Sequence, residues 1–396
     1  MTNNQVPDGS PFPPLASTRA AMAGSGIRAL MDLAWAAGDV IHLEVGEPNF
    51  PTPVHIVEAA DRAARTGQTK YTPTKGVAEL RRAIADKLNS RNQIDATDAN
   101  VVVTAGGVQA LYLSLMAVAE PGDGVLLPDP GWPNYSMMVT VLGATAQPYR
   151  LRPDEQYLPC VDDLERAASP STRAVILNSP SNPLGSVLMA SRGADILDWA
   201  RQHRIWVLSD ECYDEIVFDD SFVSLGALEA GEQVISCYSF SKTYAMTGWR
   251  VGYIVSRLSP LVDVLAKVQQ AAVSCVNAPA QAAALAALTG PQDCVEQMRT
   301  SYLARRDAAV DVLKSAGVDV LKPAGAFYLW VDASPFTADD WSLATSLLRD
   351  VRVAVAPGSA FGSQGLGHLR LSLATETSVL LEGCRRITDY LSAWEG

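Results

Sequence analysis

From Val101 onward, short apolar and β-branched runs alternate with longer stretches of helical period. The runs are VVVT from Val101, GVLLP from Gly124, RAVILN from Arg173, IWVLSD from Ile205, VISCYS from Val234 and VGYIVS from Val251. Residues 107–119 and 190–203 carry apolar positions at helical spacing between them. Strands alternating with helices predict a parallel or mixed sheet covered on both faces. Past Leu258 the pattern lengthens into helical stretches over 260–270 and 279–316, with Arg305, Arg306 and Asp307 expected on a solvated face. This reads as a helix crossing into a smaller domain. The tail supplies separate strand-like pieces, AFYLWVD, VAVAPG and HLRLSLA, plus two helices, which together predict a small α+β domain. The first sixteen residues hold four prolines and no periodicity, so an extended arm is expected there, of the kind that lies across a partner subunit.

Composition narrows the class. With 396 residues, 48% of them hydrophobic, the chain can bury a large core without disulfides or metal. A formal charge of −12 argues against a phosphate backbone as partner, so no nucleic acid is expected. No basic start followed by an apolar run opens the chain, and no stretch reaches the roughly 18 apolar residues of a membrane span. A cytoplasmic protein is expected. The six cysteines never form C-x-x-C and the four histidines are scattered, which predicts free thiols and no metal site.

Several local patterns can carry chemistry. Lys242 and Arg250 lie eight residues apart in a small-residue turn after VISCYS, spaced to present an amine and a guanidinium to one anionic cofactor. A partly desolvated ε-amine can lose its proton and form a Schiff base. Asp210 ends the strand IWVLSD, where open α/β sheets bind ligands and a carboxylate can hold a protonated ring nitrogen. Gly106, Gly107 and Val108 open a helix directly after VVVT, leaving free N–H groups and a positive dipole end for a phosphate. Asn182 sits between Pro180 and Pro183, and Arg370 interrupts an apolar alternation, where a carboxylate is its natural ligand. Each pattern alone also fits a plain role: surface charge, turn cap, strand-to-helix turn, rigid loop, buried ion pair. Neither G-x-G-x-x-G nor G-x-x-x-x-G-K occurs, which weighs against nicotinamide dinucleotides and nucleoside triphosphates.

Taken in order, these patterns resemble the class I/II aminotransferases of the aspartate aminotransferase fold, from about Ile27 to the C-terminus. Gly46-Glu47-Pro48, Tyr71-Thr72-Pro73 before Gly76, the Asn182-Pro183-x-Gly185 turn, Asp210-Glu211-x-Tyr213 and SFSKTYAMTGWRVGY carry the likeness. It implies the fold type I α/β architecture of pyridoxal-phosphate enzymes, a mostly parallel seven-stranded sheet between helices plus a smaller α+β domain. The implied division is 1–45 as arm and part of the small domain, 46–285 as the large cofactor domain, and 286–396 as the small domain. The cofactor implied is pyridoxal 5′-phosphate, with Lys242 forming the internal aldimine and shuttling the proton. Asp210 would keep the pyridine nitrogen protonated, while Tyr213 and Asn182 would bond the phenolate oxygen. Arg250, Ser239 and the backbone at Gly106, Gly107 and Val108 would bind the phosphate, and Trp132 would stack on the ring. Tyr71 would reach in from the second subunit of a homodimer. Arg370, with Asn182, Trp132 and Gly46, would grip the substrate α-carboxylate. The implied reaction moves an amino group from an L-amino acid to a 2-oxo acid by a ping-pong route.

Two departures stand out. Leu184 replaces the threonine usual in the NPTG turn, and no effect is expected because that threonine is not a cofactor contact. Val108 occupies a position where related bacterial aspartate aminotransferases carry a lysine for the distal carboxylate, and this points to a neutral or apolar amino donor. A pyridoxal-phosphate lyase or synthase acting at the β or γ carbon is the alternative on the same fold. A non-catalytic cofactor-binding module is disfavoured by the intact lysine, aspartate and arginine set. Asn134-Tyr135-Ser136 matches a glycosylation pattern without functional weight, His55 and Glu58 read as solvent-facing, and Trp199 and Trp206 read as core.

Overall fold

The structure, a computed structural model, describes residues 16–22, 24–218, 222–228 and 231–394. Among the described residues, seven strands form the central sheet: β1 (Val101–Thr104), β2 (Gly124–Asp129), β3 (Thr145–Arg150), β4 (Thr172–Asn178), β5 (Trp206–Asp210), β6 (Val234–Ser239) and β7 (Gly252–Val255). Their spatial order is β1-β7-β6-β5-β4-β2-β3. Only β7 runs against its neighbours, so β1 to β6 all point their carboxyl ends to one edge.

Side-chain alternation divides the sheet's core. Ala174 and Ile176 of β4 pack on one face with Ala110, Leu111 and Leu265 from helices Gly107–Val118 and Ser259–Ala272. Val175 and Leu177 pack on the other face with Ile196, Leu197 and Ala200 from helix Ala190–His203. Burial on both faces explains why these strands read as continuous apolar runs. The strand the periodicity does not show is β3, TAQPYR, an exposed edge strand in which Pro148 and polar residues replace the apolar pattern.

A second sheet of four antiparallel strands joins β8 (Val320–Leu321), β9 (Tyr328–Asp332), β10 (Ala356–Pro357) and β11 (His368–Ser372) in the order β10-β11-β9-β8. Helix Gly26–Ala37 buries Leu30 and Ala34, and a two-residue parallel pair ties Ile41–His42 to Val353–Ala354. No helix among the described residues is long and apolar enough to cross a membrane.

Four expectations need correction or placing. The stretch 279–316 is two helices, Ala278–Thr289 and Asp293–Ser315, broken at Gly290-Pro291, where proline cannot continue a helix. Arg305 is buried, not solvated: its Nη1 donates to Asn49 Oδ1 at 2.8 Å and to the Leu373 carbonyl at 3.2 Å, and it lies over the Phe50 and Tyr302 rings. Arg306 is largely buried too and donates to the Pro323 carbonyl, which leaves Asp307 on the solvated side. Apart from Ala16, the arm lies outside the described residues. Trp199 is buried and donates to Glu165 Oε2 at 2.6 Å, while half-buried Trp206 packs against the opposite core face.

Candidate active site

A cleft of about 570 Å³ opens at the carboxyl edge of the sheet. Open α/β sheets place ligands at that edge because strand-end loops converge there. Lys242 enters from the short helix Phe240–Thr243 after β6, where Ser239 Oγ caps the helix by accepting from the Ser241 N–H at 3.2 Å. Its Nζ donates to the Gly46 carbonyl at 2.7 Å. Burial, reinforced by the positive charges of Arg370 and Arg250, pulls the amine down to about 8.

Asp210 ends β5 with only 4% exposure. Tyr135 Oη donates to its Oδ2 at 2.6 Å and the Cys212 N–H to its Oδ1 at 3.2 Å. Burial raises its pKa, while these donors and Lys242 pull the other way. A carboxylate of this kind suits a cationic N–H partner.

Beside it, Gly106 adopts φ +87°, and a methyl group there would collide with Arg250 Nη2. Arg250 is anchored through Nη1 to the Thr247 carbonyl at 2.9 Å and through Nη2 to the Ala105 carbonyl at 3.4 Å. Gly107, Ser239, Ser241 and Arg250 therefore surround the positive end of helix Gly107–Val118. Backbone N–H groups, hydroxyls and a guanidinium at a helix start suit a phosphate.

Arg370 projects from β11 and is buried. Its Nη1 donates to Asn182 Oδ1 at 3.0 Å and its Nη2 to the Glu44 carbonyl, with the Tyr328 and Phe361 rings 4.4 and 5.0 Å away. Burial lowers its pKa, yet a guanidinium remains charged. Its Nε has no partner among the described residues, which leaves a donor free on the cleft side chain. Tyr213 and Tyr328 share a hydroxyl contact of 2.8 Å, and burial pushes both phenols up.

Gly46, Gly107, Val108, Trp132, Asn182, Asp210, Tyr213, Ser239, Lys242, Arg250 and Arg370 thus line one cleft, with Gly106 packed directly behind Arg250. Tyr71 stands apart, 91% exposed and off the cleft of its own chain. Sequence reasoning missed Tyr135, Tyr328 and Glu44. Tyr135 lies three residues past Trp132, in the first turn of the helix that follows it, and β9 pairs directly with the Arg370 strand, so both positions carried a usable signal. Glu44 is fully buried with Oε1 2.7 Å from His42 Nδ1, and nothing in its local pattern marks it. Helix Gly26–Ala37 adds Ile27, Arg28 and Met31 to the rim, so an arginine does reach the cleft besides Arg250 and Arg370. Its guanidinium lies 5.8 Å from the Trp35 ring, two turns along the same helix.

This architecture and constellation place the chain in a known family. The family model for aminotransferase class I and II matches residues 38–387, and the chain belongs to that family and is an aminotransferase. It is 40% identical to a probable aspartate/prephenate aminotransferase of Aquifex aeolicus over 362 residues, 89% of this chain and 91% of that protein. The solved aspartate aminotransferase of Thermus thermophilus with maleate superposes with a TM-score of 0.91 at 34% identity, covering 96% of this chain and all of that one. An aromatic aminotransferase of Pyrococcus horikoshii gives a TM-score of 0.87 at 36% identity over 92% of this chain and 99% of that one. The relatives are named as transaminases, and the elimination alternative is not favoured.

Proposed function

We propose that this aminotransferase uses pyridoxal 5′-phosphate to move the amino group of an L-amino acid with a neutral, apolar side chain to a 2-oxo acid. The convergence of Lys242, Asp210, the Gly106–Arg250 cradle and Arg370 on one cleft carries the reading. These residues fit the cofactor: a cradle that a Cβ would fill suits its phosphate, a buried carboxylate suits its ring nitrogen, and a depressed amine suits its aldehyde. When bound, the group supplies an electron sink for charge left at the substrate α-carbon.

The chain's own residues do the rest. Arg370 and Asn182 hold the α-carboxylate and so fix the α-carbon in the cleft. Lys242 Nζ removes the α-proton and holds it as the ammonium until it is handed back, which its lowered pKa suits near neutral pH. Asp210, whose ionised form the bonds from Tyr135 and the Cys212 N–H favour against burial, would hold a proton on the ring nitrogen. Arg250, Ser239 and the Gly107 backbone would bind the phosphate, Trp132 would cover the ring, and Tyr213 with Asn182 would bond its oxygen. Donor and acceptor use these residues in turn. Ile27, Met31, Val108, Leu111 and Met137 supply an apolar wall for the donor side chain. A cytoplasmic homodimer in which Tyr71 completes the neighbouring site accounts for the exposure of that tyrosine.

The deciding experiment records the absorption spectrum of cofactor-loaded protein before and after single amino acids, with no acceptor present. Bleaching of the visible band by neutral amino acids with one equivalent of oxo acid released supports the proposal. Release of ammonia or another leaving group, or no visible band at all, overturns it.

A further inference from the structure

Away from the cleft, the turn that follows Asp210 is tied to a buried lysine. Lys87 ends helix Ala78–Lys87, and its side chain is 10% exposed. Its Nζ bonds Asp214 Oδ2, approaches Glu215 Oε1 at 3.5 Å, and sits 5.1 Å from the Tyr238 ring. Asn92, five residues on, donates through Nδ2 to Asp214 Oδ2 at 3.2 Å and to Ser224 Oγ at 2.9 Å. Ser224 Oγ in turn donates to Glu211 Oε2 at 2.6 Å, an oxygen that also accepts from Tyr238 Oη at 2.7 Å. The two acids that bracket Cys212-Tyr213, Glu211 and Asp214, are therefore held by one connected set of groups, none of which lines the cleft.

A buried ion pair is a poor way to gain stability, since an apolar pair of similar volume packs as well. Direction is what the pair adds. Asp210 precedes Glu211 and Tyr213 precedes Asp214, so a shift of the turn moves the ring-nitrogen carboxylate and the phenol together. Burial opposes the charge on Lys87, but Asp214, Tyr253 and Glu215 outweigh it and keep the ammonium protonated.

We infer that Lys87 is a positioning residue for the cofactor: through Asp214, and through Asn92 and Ser224 to Glu211, it fixes the turn that presents Asp210 and Tyr213 to the cleft. The inference rests on the function proposed above. Misplacement of reacting groups by about 1 Å costs on the order of 100-fold in rate.

The test compares the parent, Lys87→Met, and the double variant Lys87→Met/Asp214→Asn, in which no buried carboxylate is left unpaired. Three quantities are read: the cofactor Kd by equilibrium dialysis, the pH at which the visible band of loaded protein titrates, and Tm. Lys87→Met raises the cofactor Kd about 10-fold or more and shifts the band titration by about one pH unit. The double variant recovers Tm but keeps both shifts, because methionine makes no bond to the turn. If Lys87→Met does not fold, the double variant decides alone. A double variant with parental Kd and band titration makes Lys87 structural only and overturns the inference. A parent that gains no visible band overturns the underlying function, and the inference with it.

Discussion

Tyr135 Oη donates a 2.6 Å hydrogen bond to Asp210 Oδ2 from the first turn of helix Asn134–Leu142, and both groups are buried. Burial favours the protonated carboxyl, and the phenol opposes it by bonding the ionised form. A hydrogen bond to a charged group contributes about 1.5 to 3 kcal/mol. Tyr135→Phe is therefore expected to lower kcat about 10- to 100-fold with little change in KM for the donor. Steady-state kinetics with one donor would check this. A variant with parental kcat would show that Asp210 does not depend on the phenol.

Lys242 gives a pH signature. Its amine, lowered to about 8 by burial and the nearby arginines, is neutral above that value and protonated below it. The rate at which cofactor-free protein regains its visible band should rise with pH to a midpoint near 8, and Lys242→Ala should give neither band nor turnover. A midpoint near the usual lysine value, about 10.4, would place the amine in water and not in the cleft.

How far the chain could be read without coordinates depended on whether the signal was local. The buried strands and the helix Ala190–His203 announce themselves because burial on two faces leaves a continuous apolar run and burial on one leaves a periodic trace. Edge strand β3 leaves none, since solvent permits TAQPYR there. Lys242, Asp210, Asn182 and Arg250 stand at strand ends in recognisable strings, whereas Tyr328, Glu44 and Met31 reach the cleft only through the packing of the second sheet and the first helix. Arg305 misled because three consecutive charged residues look solvated until Asn49, Phe50 and Leu373 fold over the first of them.

Glu211 should leave its mark on stability. It is buried and, chiefly through that burial and also through Asp214, is raised from 4.5 to about 7 despite the hydroxyls of Ser209, Ser224 and Tyr238. Across that window the folded state holds a proton that the unfolded state has lost, so stability falls as pH rises from 4.5 to about 7. The loss amounts to about 3 kcal/mol at most. Glu211→Gln is expected to flatten the Tm profile between about pH 5 and pH 8 relative to the parent, measured by calorimetry. A difference profile that stays level across this range would mean Glu211 ionises normally in the fold.

Val108 tests the proposed donor class most directly. It is the second residue of helix Gly107–Val118, it lines the cleft, and it is 41% exposed. An apolar side chain here leaves the carboxylate of an acidic donor unpaired on the wall formed with Leu111 and Met137, and a charge-assisted bond is forgone. Val108→Lys supplies that bond while breaking the apolar surface for a neutral side chain. We expect kcat/KM for aspartate to rise about 10-fold and that for a neutral donor to fall, so the ratio of the two moves in favour of the acid. A cation at a helix start costs about 0.3 to 1 kcal/mol, so Tm should drop slightly, and both donors should be compared at a temperature well below it. Should the ratio stay at its parental value, the side chain of the donor does not contact this wall, and Arg28 on the helix rim becomes the group to replace next.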